Sequence, residues 1–219
     1  MKRKVRHRFF SVASTIFACL VAVTLFFSFV IFPVINKSVS MAPGIPEYTF
    51  EFIVPLLKKP SRGDVMLVSP HSQENYSLLK MLAGKFCLFF TAQQWDPFSD
   101  TSNEKPCLRR VIGIPGDIVY MDNYILYIKP SGTEQFLTEF ELTEKKYVIS
   151  VSDRSSAIDT ELGSSGHFDQ ITLEENCYFL LGDNRMQSFD SRHWGTVKAS
   201  SFLGRAIMIY FPISKIRLL

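Results

Sequence analysis

The pattern of apolar and polar positions splits the chain near its start. From Phe9 to Ile35, "FFSVASTIFACLVAVTLFFSFVIFPVI", no residue is charged. A bilayer is spanned by about 20 apolar residues, so this run suffices even for a tilted helix. A secretory leader has an apolar region of only about 7–15 residues ended by a small-residue cleavage site. No Ala-x-Ala pattern follows this run. Residues 9–35 therefore predict one transmembrane anchor. The flank before it, "MKRKVRHRFF", holds five Lys/Arg and no acid. The positive-inside rule then predicts a cytoplasmic tail over 1–8 and an extracytoplasmic remainder over 36–219.

After the anchor the pattern becomes short runs ended by turns. A Pro-punctuated loop, "NKSVSMAPGIPEYTF", leads to "SRGDVMLVSP", a turn and a strand. "LRRVIGIPG" reads as a strand ended by Pro-Gly, "GDIVYMDNYILYI" alternates as a hairpin, "CYFLLGDN" is a strand and turn, and "RAIMIYF" a last strand. Segments 71–107 and 130–170 read as insertions, the first with a helix over 76–90, the second with short runs such as "KYVIS". The pattern predicts a mostly β external domain.

Composition narrows the function. Hydrophobic residues make up 47% and net charge is +3, but without the basic tail 19 Lys/Arg face 21 Asp/Glu. The folded part lacks the basic footprint of a nucleic-acid binder. Cys87, Cys107 and Cys177 allow one disulfide, Cys87–Cys107 being one pairing, and require none. There is no CxxC, and His7, His71, His167 and His193 lack metal-ligand spacing, so no metal or cofactor is expected.

Candidate chemistry lies at three places. Ser40 sits in "KSVSMAP", just beyond the anchor. The loop "GDNRMQSFDSRHWG" opens on a turn signal and places Asp190 to pair with Arg192. In "LRRVIGIPG" neighbouring side chains leave opposite faces, so if one face is core, either Arg109 or Arg110 points inward.

Four stretches in this order, "SVSMAP", "RGDVMLV", "RRVIGIPGD" and "GDNRMQSFDSRHWG", resemble the type I signal peptidases, membrane-anchored serine proteases that remove signal peptides. The resemblance implies coiled antiparallel β-sheets with a smaller inserted β region and one N-terminal transmembrane helix. It places Ser40 at the nucleophile position and Ser38 at the serine that, with the Ser40 N–H, forms the oxyanion hole. Met41 falls where the small-residue substrate pocket is lined, and Ser188 at the serine supporting the general base. Asp190 and Arg192 match a structural ion pair, Arg110 a structural arginine. Gly44 stands where a threonine is usual. The main departure is Arg109, which occupies the position of the general-base lysine and should point at Ser40.

A desolvated lysine can lose its proton, whereas a guanidinium keeps it. Three explanations compete: water or another group takes the serine proton; the chain is an impaired homologue that binds preproteins or assists an active peptidase; or Lys105 fills the gap, though an ideal strand puts it roughly 13 Å away. The expected function is signal-peptide removal after small residues at the outer face of the cytoplasmic membrane. Expected partners are signal peptides and membrane lipid, with Phe86, Leu88, Phe89 and Phe90 as an apolar patch or core. A non-enzymatic binder of exported chains and a self-cleaving regulator are the readings from other classes.

Overall fold

A computed structural model describes residues 2–57, 59–69, 84, 87, 106–151 and 166–219. Of the helix expected over 76–90, only Gly84 and Cys87 are described, and both are helical. Phe86, Leu88, Phe89, Phe90 and Lys105 lie outside the described residues.

The first element is α1 (Lys2–Phe29). Its described side chains are those of residues 11–23 and Phe26, all exposed. Among the described residues no helix is long and apolar enough to cross a membrane. The charge-free run is also two elements rather than one. The helix ends at Phe29, and β1 (Phe32–Asn36) follows as an edge strand of a sheet. Pro33 explains the break: it has no N–H for a helix, and an edge strand tolerates it.

Eight strands form the larger sheet: β1, β2 (Thr49–Val54), β3 (Val65–Val68), β4 (Cys107–Gly113), β9 (Cys177–Leu181), β10 (Val197–Lys198), β11 (Phe202–Phe211) and β12 (Arg217–Leu218). Their order is β1-β2-β11-β3-β4-β9-β10, with β12 on β11. Every pairing is antiparallel. The long β11 changes register against both β2 and β3; such bulges bend a strand and increase its twist. A smaller antiparallel sheet, order β7-β6-β5-β8, lies between β4 and β9 in sequence. It comprises β5 (Ile118–Asp122), β6 (Ile125–Lys129), β7 (Leu137–Thr138) and β8 (Phe168–Thr172). Two short helices complete the parts used below, α2 (Glu139–Leu142) and α3 (Ser191–Trp194).

The fold is mostly β, as the pattern predicts, with local corrections. The hairpin β5–β6 turns at Asn123 and Tyr124, whose φ angles are +50° and +64°. Both are left-handed, the requirement of a two-residue type I′ turn. The inserted sheet begins with that hairpin, not at residue 130. "KYVIS" is no strand; only Ser150 makes an isolated bridge, to Asn184.

Strand β4 carries the two arginines, and from Leu108 to Gly113 every residue is buried. One apolar cluster, with Met66, Val111, Leu180 and Phe202, covers one face. Others built on Leu67 and Leu108, and on Ile112 and Leu181, cover the opposite face. Arg109 and Arg110 are therefore both buried, at 5% and 7% exposure. The premise that only one of the pair points inward fails because β4 is a central strand covered on both sides.

Strand β2 holds a further buried charge-bearing group. Thr49, Glu51 and Ile53 face inward, while Phe52 stacks on Tyr210 at 4.1 Å on the other side. Thr49 Oγ lies 2.6 Å from the Pro46 carbonyl and 2.5 Å from Glu51 Oε1. One hydroxyl proton cannot serve two acceptors, so both contacts are satisfied only when Glu51 brings its own proton. Burial raises the Glu51 carboxyl to about 7, against the lowering effect of bonds from Thr49 and the Asn36 backbone. The folded state thus holds a proton that the unfolded chain releases at its ordinary carboxylate pKa. Stability is complete below that value, falls as pH rises to about 7, and is level above it. The total loss is roughly 3 kcal/mol. Glu51→Gln should abolish this fall, leaving urea midpoints at pH 5 and pH 8 alike; a variant that keeps the wild-type pH dependence would place the titration elsewhere.

Candidate active site

Ser40 lies in a short 3-10 turn, Val39–Met41, immediately after β1. Ser38 caps the turn: its hydroxyl accepts the Ser40 N–H at 3.2 Å and donates to Ser40 Oγ at 3.0 Å. A second loop holds the turn from behind. Asn184 N–H donates to the Ser40 carbonyl at 3.0 Å and Asn184 Nδ2 to the Val39 carbonyl at 3.4 Å. Gly182 is required by this approach, because a Cβ there would lie 2.1 Å from Ser188 Oγ and 2.6 Å from the Ser40 carbonyl oxygen.

Arg109 arrives from β4, 69 residues away in sequence, and donates from Nη1 to Ser40 Oγ at 2.8 Å. Its Nε and Nη2 both donate to the Phe189 carbonyl, at 3.1 and 2.8 Å. The guanidinium also lies 5.6 Å from the Trp194 ring centre, within cation–π range. Sequence order therefore brings Ser38, Ser40 and Arg109 together as expected. The arrangement is rich in donors. Arg109, two serine hydroxyls and the Ser40 N–H converge on two hydroxyl oxygens. Neither a guanidinium nor a backbone N–H can accept a proton.

The other matched positions surround this group. Asp190 is bound by Arg192 through Nε and Nη2, each at 2.8 Å, and accepts the Gly182 N–H at 3.0 Å. Burial alone would raise the Asp190 carboxyl; the Arg192 guanidinium, the Gly182 N–H and the Ser188 hydroxyl together hold it below the usual range. Arg109 directs its donors to the carbonyls of Phe189 and Leu108 and to Ser40 Oγ. The carbonyl of Phe189, next to Ser188, is gripped by two donors of the planar Arg109 fork. Arg110 forms a two-point pair with Asp183, at 2.7 and 2.6 Å, and lies over the Tyr147 ring at 4.4 Å. This pair accounts for Gly44, where a Cβ would lie 2.2 Å from Asp183 Oδ2.

A cavity of about 320 Å³ opens beside Ser40. Val34, Leu67 and Leu108 supply apolar wall, and Asn36, Lys37, Ser38 and Arg109 supply polar groups. Met41, expected to line a substrate pocket, is 0% exposed and sits in the core with Phe32 and Ile45. It is not among the residues that line the cavity, though it shares a cluster with Val34, Leu67 and Leu108, which do. The sequence reading missed Asn36 and Lys37, which adjoin the "SVS" motif, and Asp183, whose place after Gly182 reads as turn chemistry. It also missed why the "RGD" and "PGD" turns occur together: Arg62 grips Asp117 with both terminal nitrogens and the Ile112 carbonyl at 3.0 Å.

The chain matches the family model described as signal peptidase, peptidase S26, over residues 9–211. Signal peptidase I of Streptococcus pneumoniae R6 is 30% identical over 136 residues, covering 53% of this chain and 66% of that protein. Signal peptidase I P of Bacillus subtilis subsp. natto is 30% identical over 112 residues, covering 50% and 54%. The matches thus span between about half and about two thirds of those relatives' length. A signal peptidase I structure from Enterococcus faecalis V583 aligns with a TM-score of 0.33 at 24% identity, covering 68% of this chain and 97% of that one. With a family model matching nearly its whole length, the chain belongs to the signal peptidase family, peptidase S26.

Proposed function

We propose that this chain is a membrane-anchored serine endopeptidase that removes signal peptides from exported preproteins after small residues, with Ser40 as nucleophile. The observation that carries the reading is the contact of Arg109 Nη1 with Ser40 Oγ at 2.8 Å, with Ser38 Oγ 3.0 Å from the same oxygen. A cation and a hydroxyl donor at one oxygen favour its anionic form. Solvent hydroxide takes the Ser40 proton, giving water. The alkoxide attacks the scissile carbonyl, and the Ser38 hydroxyl with the Ser40 N–H receives the developing negative charge, each such donor being worth roughly 3 kcal/mol. The amine leaves with a proton from water, and a second water hydrolyses the ester to a carboxylate. Asp190, Arg192 and Arg110 hold the surrounding loops.

The anchor in this reading is α1, which carries the charge-free run as far as Phe29 and whose described side chains from Ser11 to Val23 are all exposed to the surroundings. The five basic residues in the first two turns of α1 keep its N-terminal end in the cytoplasm. Ser40 then lies past the outer end of α1, one short strand beyond Phe29, on the side where a signal peptide's cleavage site emerges.

The donor-rich site also favours a second reading, a catalytically impaired homologue that binds preproteins. The two separate in one assay with the full chain in detergent micelles and a model preprotein. The peptidase reading expects slow cleavage that rises with pH in proportion to hydroxide and disappears in Ser40→Ala. Retention of the preprotein with no cleavage at any pH selects the second reading, and cleavage unchanged in Ser40→Ala removes Ser40 from the chemistry.

A further inference from the structure

The cavity beside Ser40 offers hydrogen-bond donors and positive charge to whatever occupies it. The Ser38–Ser40 pair owns two hydroxyl protons, and only one lies in the bond between them. The other is left to aim elsewhere, whichever hydroxyl donates. Ser40 Oγ already accepts from Arg109 Nη1 at 2.8 Å. Lys37, exposed beside Ser38, adds a second cationic side chain to the lining. Among the described residues, none that lines the cavity is acidic. Burial and charge point the same way: Arg109 is 5% exposed, its Nη1 also meets the Leu108 carbonyl, and its Nε and Nη2 meet the carbonyl of Phe189. Among the described residues its positive charge is met by carbonyl dipoles and by no carboxylate ion pair.

We infer that this cavity is a binding site for the C-terminal carboxylate of a peptide, the group that the proposed cleavage would leave behind. The inference rests on the proposed function only for where the peptide chain lies. One carboxylate oxygen takes the spare serine proton and a guanidinium N–H, and the second faces Lys37. Val34, Leu67 and Leu108 give the last side chain an apolar wall. A cavity of about 320 Å³ has room for a small terminal residue. A neutral lysine in place of Arg109 would offer no such charge complement, so retention of a cleaved peptide is a consequence of the arginine. Charge-assisted hydrogen bonds to a carboxylate are about twice as strong as neutral ones.

The test is fluorescence anisotropy on the full chain in neutral-detergent micelles, using a labelled short apolar peptide ending in alanine, as the free acid and as the C-terminal amide. The acid should bind at least about tenfold tighter than its amide, the difference made by one charge-assisted pair. Lys37→Gln, an exposed change that leaves the fold alone, should reduce that preference about threefold, and Arg109→Met should abolish it. Equal affinity for acid and amide, no detectable binding of either, or a preference untouched by both substitutions overturns the inference. Preprotein cleavage without acid preference leaves the peptidase reading standing and ends this one. Acid preference without cleavage does the reverse.

Discussion

Arg109→Lys is expected to raise the rate of preprotein cleavage by about 10²–10⁴-fold, the usual contribution of a positioned base. The guanidinium in this chain holds Ser40 Oγ at 2.8 Å but has no lone pair with which to take its proton. A lysine at the same place would be desolvated by the groups that bury Arg109, at 5% exposure. Desolvation disfavours the ammonium and can bring a lysine to titrate near or below neutrality. The two proteins should then differ in pH profile as well as in rate. Cleavage by the variant rises with pH until its lysine is neutral and then levels, because the base must be deprotonated to work. The wild type has no such plateau and keeps rising with hydroxide. The Ser40→Ala change in the Arg109→Lys background must remain inactive, which excludes a contaminating peptidase. A variant that folds, by its urea midpoint, yet cleaves more slowly than the wild type would mean that the guanidinium takes part in the chemistry through its two-point grip on Phe189, which lysine cannot reproduce.

The contact between Arg109 and Ser40 was legible because motif order carries it. Each residue sits in a short stretch whose wording is tied to its turn, and β4 and the 3-10 turn meet as the matching stretches imply. What escaped was whatever depends on the packing of both faces. Strand β4 reads as one-sided, yet its coverage on both faces buries Arg110 as well. The stretch "TFEFIV" reads as no strand, yet it forms β2 with Thr49, Glu51 and Ile53 buried and Phe50 and Phe52 on the other side. The aromatic side is satisfied instead by Tyr210 and Phe211 on the neighbouring strand. A polar group placed inward on a strand defeats a rule based on hydrophobic period, and here that group is a carboxyl that remains protonated to about pH 7. Strand β1 was hidden for a different reason: its apolar residues continue the charge-free run, and only Pro33 marks where helix gives way to sheet.

Arg185→Met is expected to cost about 3–5 kcal/mol of stability, as breaking a fully buried ion pair does. Arg185 and Glu139 are both 0% exposed, with Nη2 2.6 Å from Oε2. The pair joins the two sheets. Arg185 belongs to the loop after β9 that also holds Ser40, and its Nη1 donates to the Tyr124 carbonyl in the β5–β6 turn at 3.1 Å. Glu139, on α2, accepts from the Leu126 N–H at 3.1 Å and from the Tyr147 hydroxyl at 2.5 Å. Burial, and then the Glu139 charge, push the Tyr147 hydroxyl above its ordinary pKa, so it remains a donor. Methionine fills much of the volume of Arg185 but leaves the Glu139 charge without its cation in the interior. The loss is therefore mainly electrostatic, and Glu139→Gln in the same chain should recover part of it, because the double change removes both charges. The readout is the urea midpoint at constant slope for the two single variants and the double. Because Asn184, next in the loop, donates to the Ser40 and Val39 carbonyls, the single variant should also lose cleavage in step with stability. A double variant no more stable than Arg185→Met would show that the loop depends on the shape of the arginine, not on the charge it neutralises.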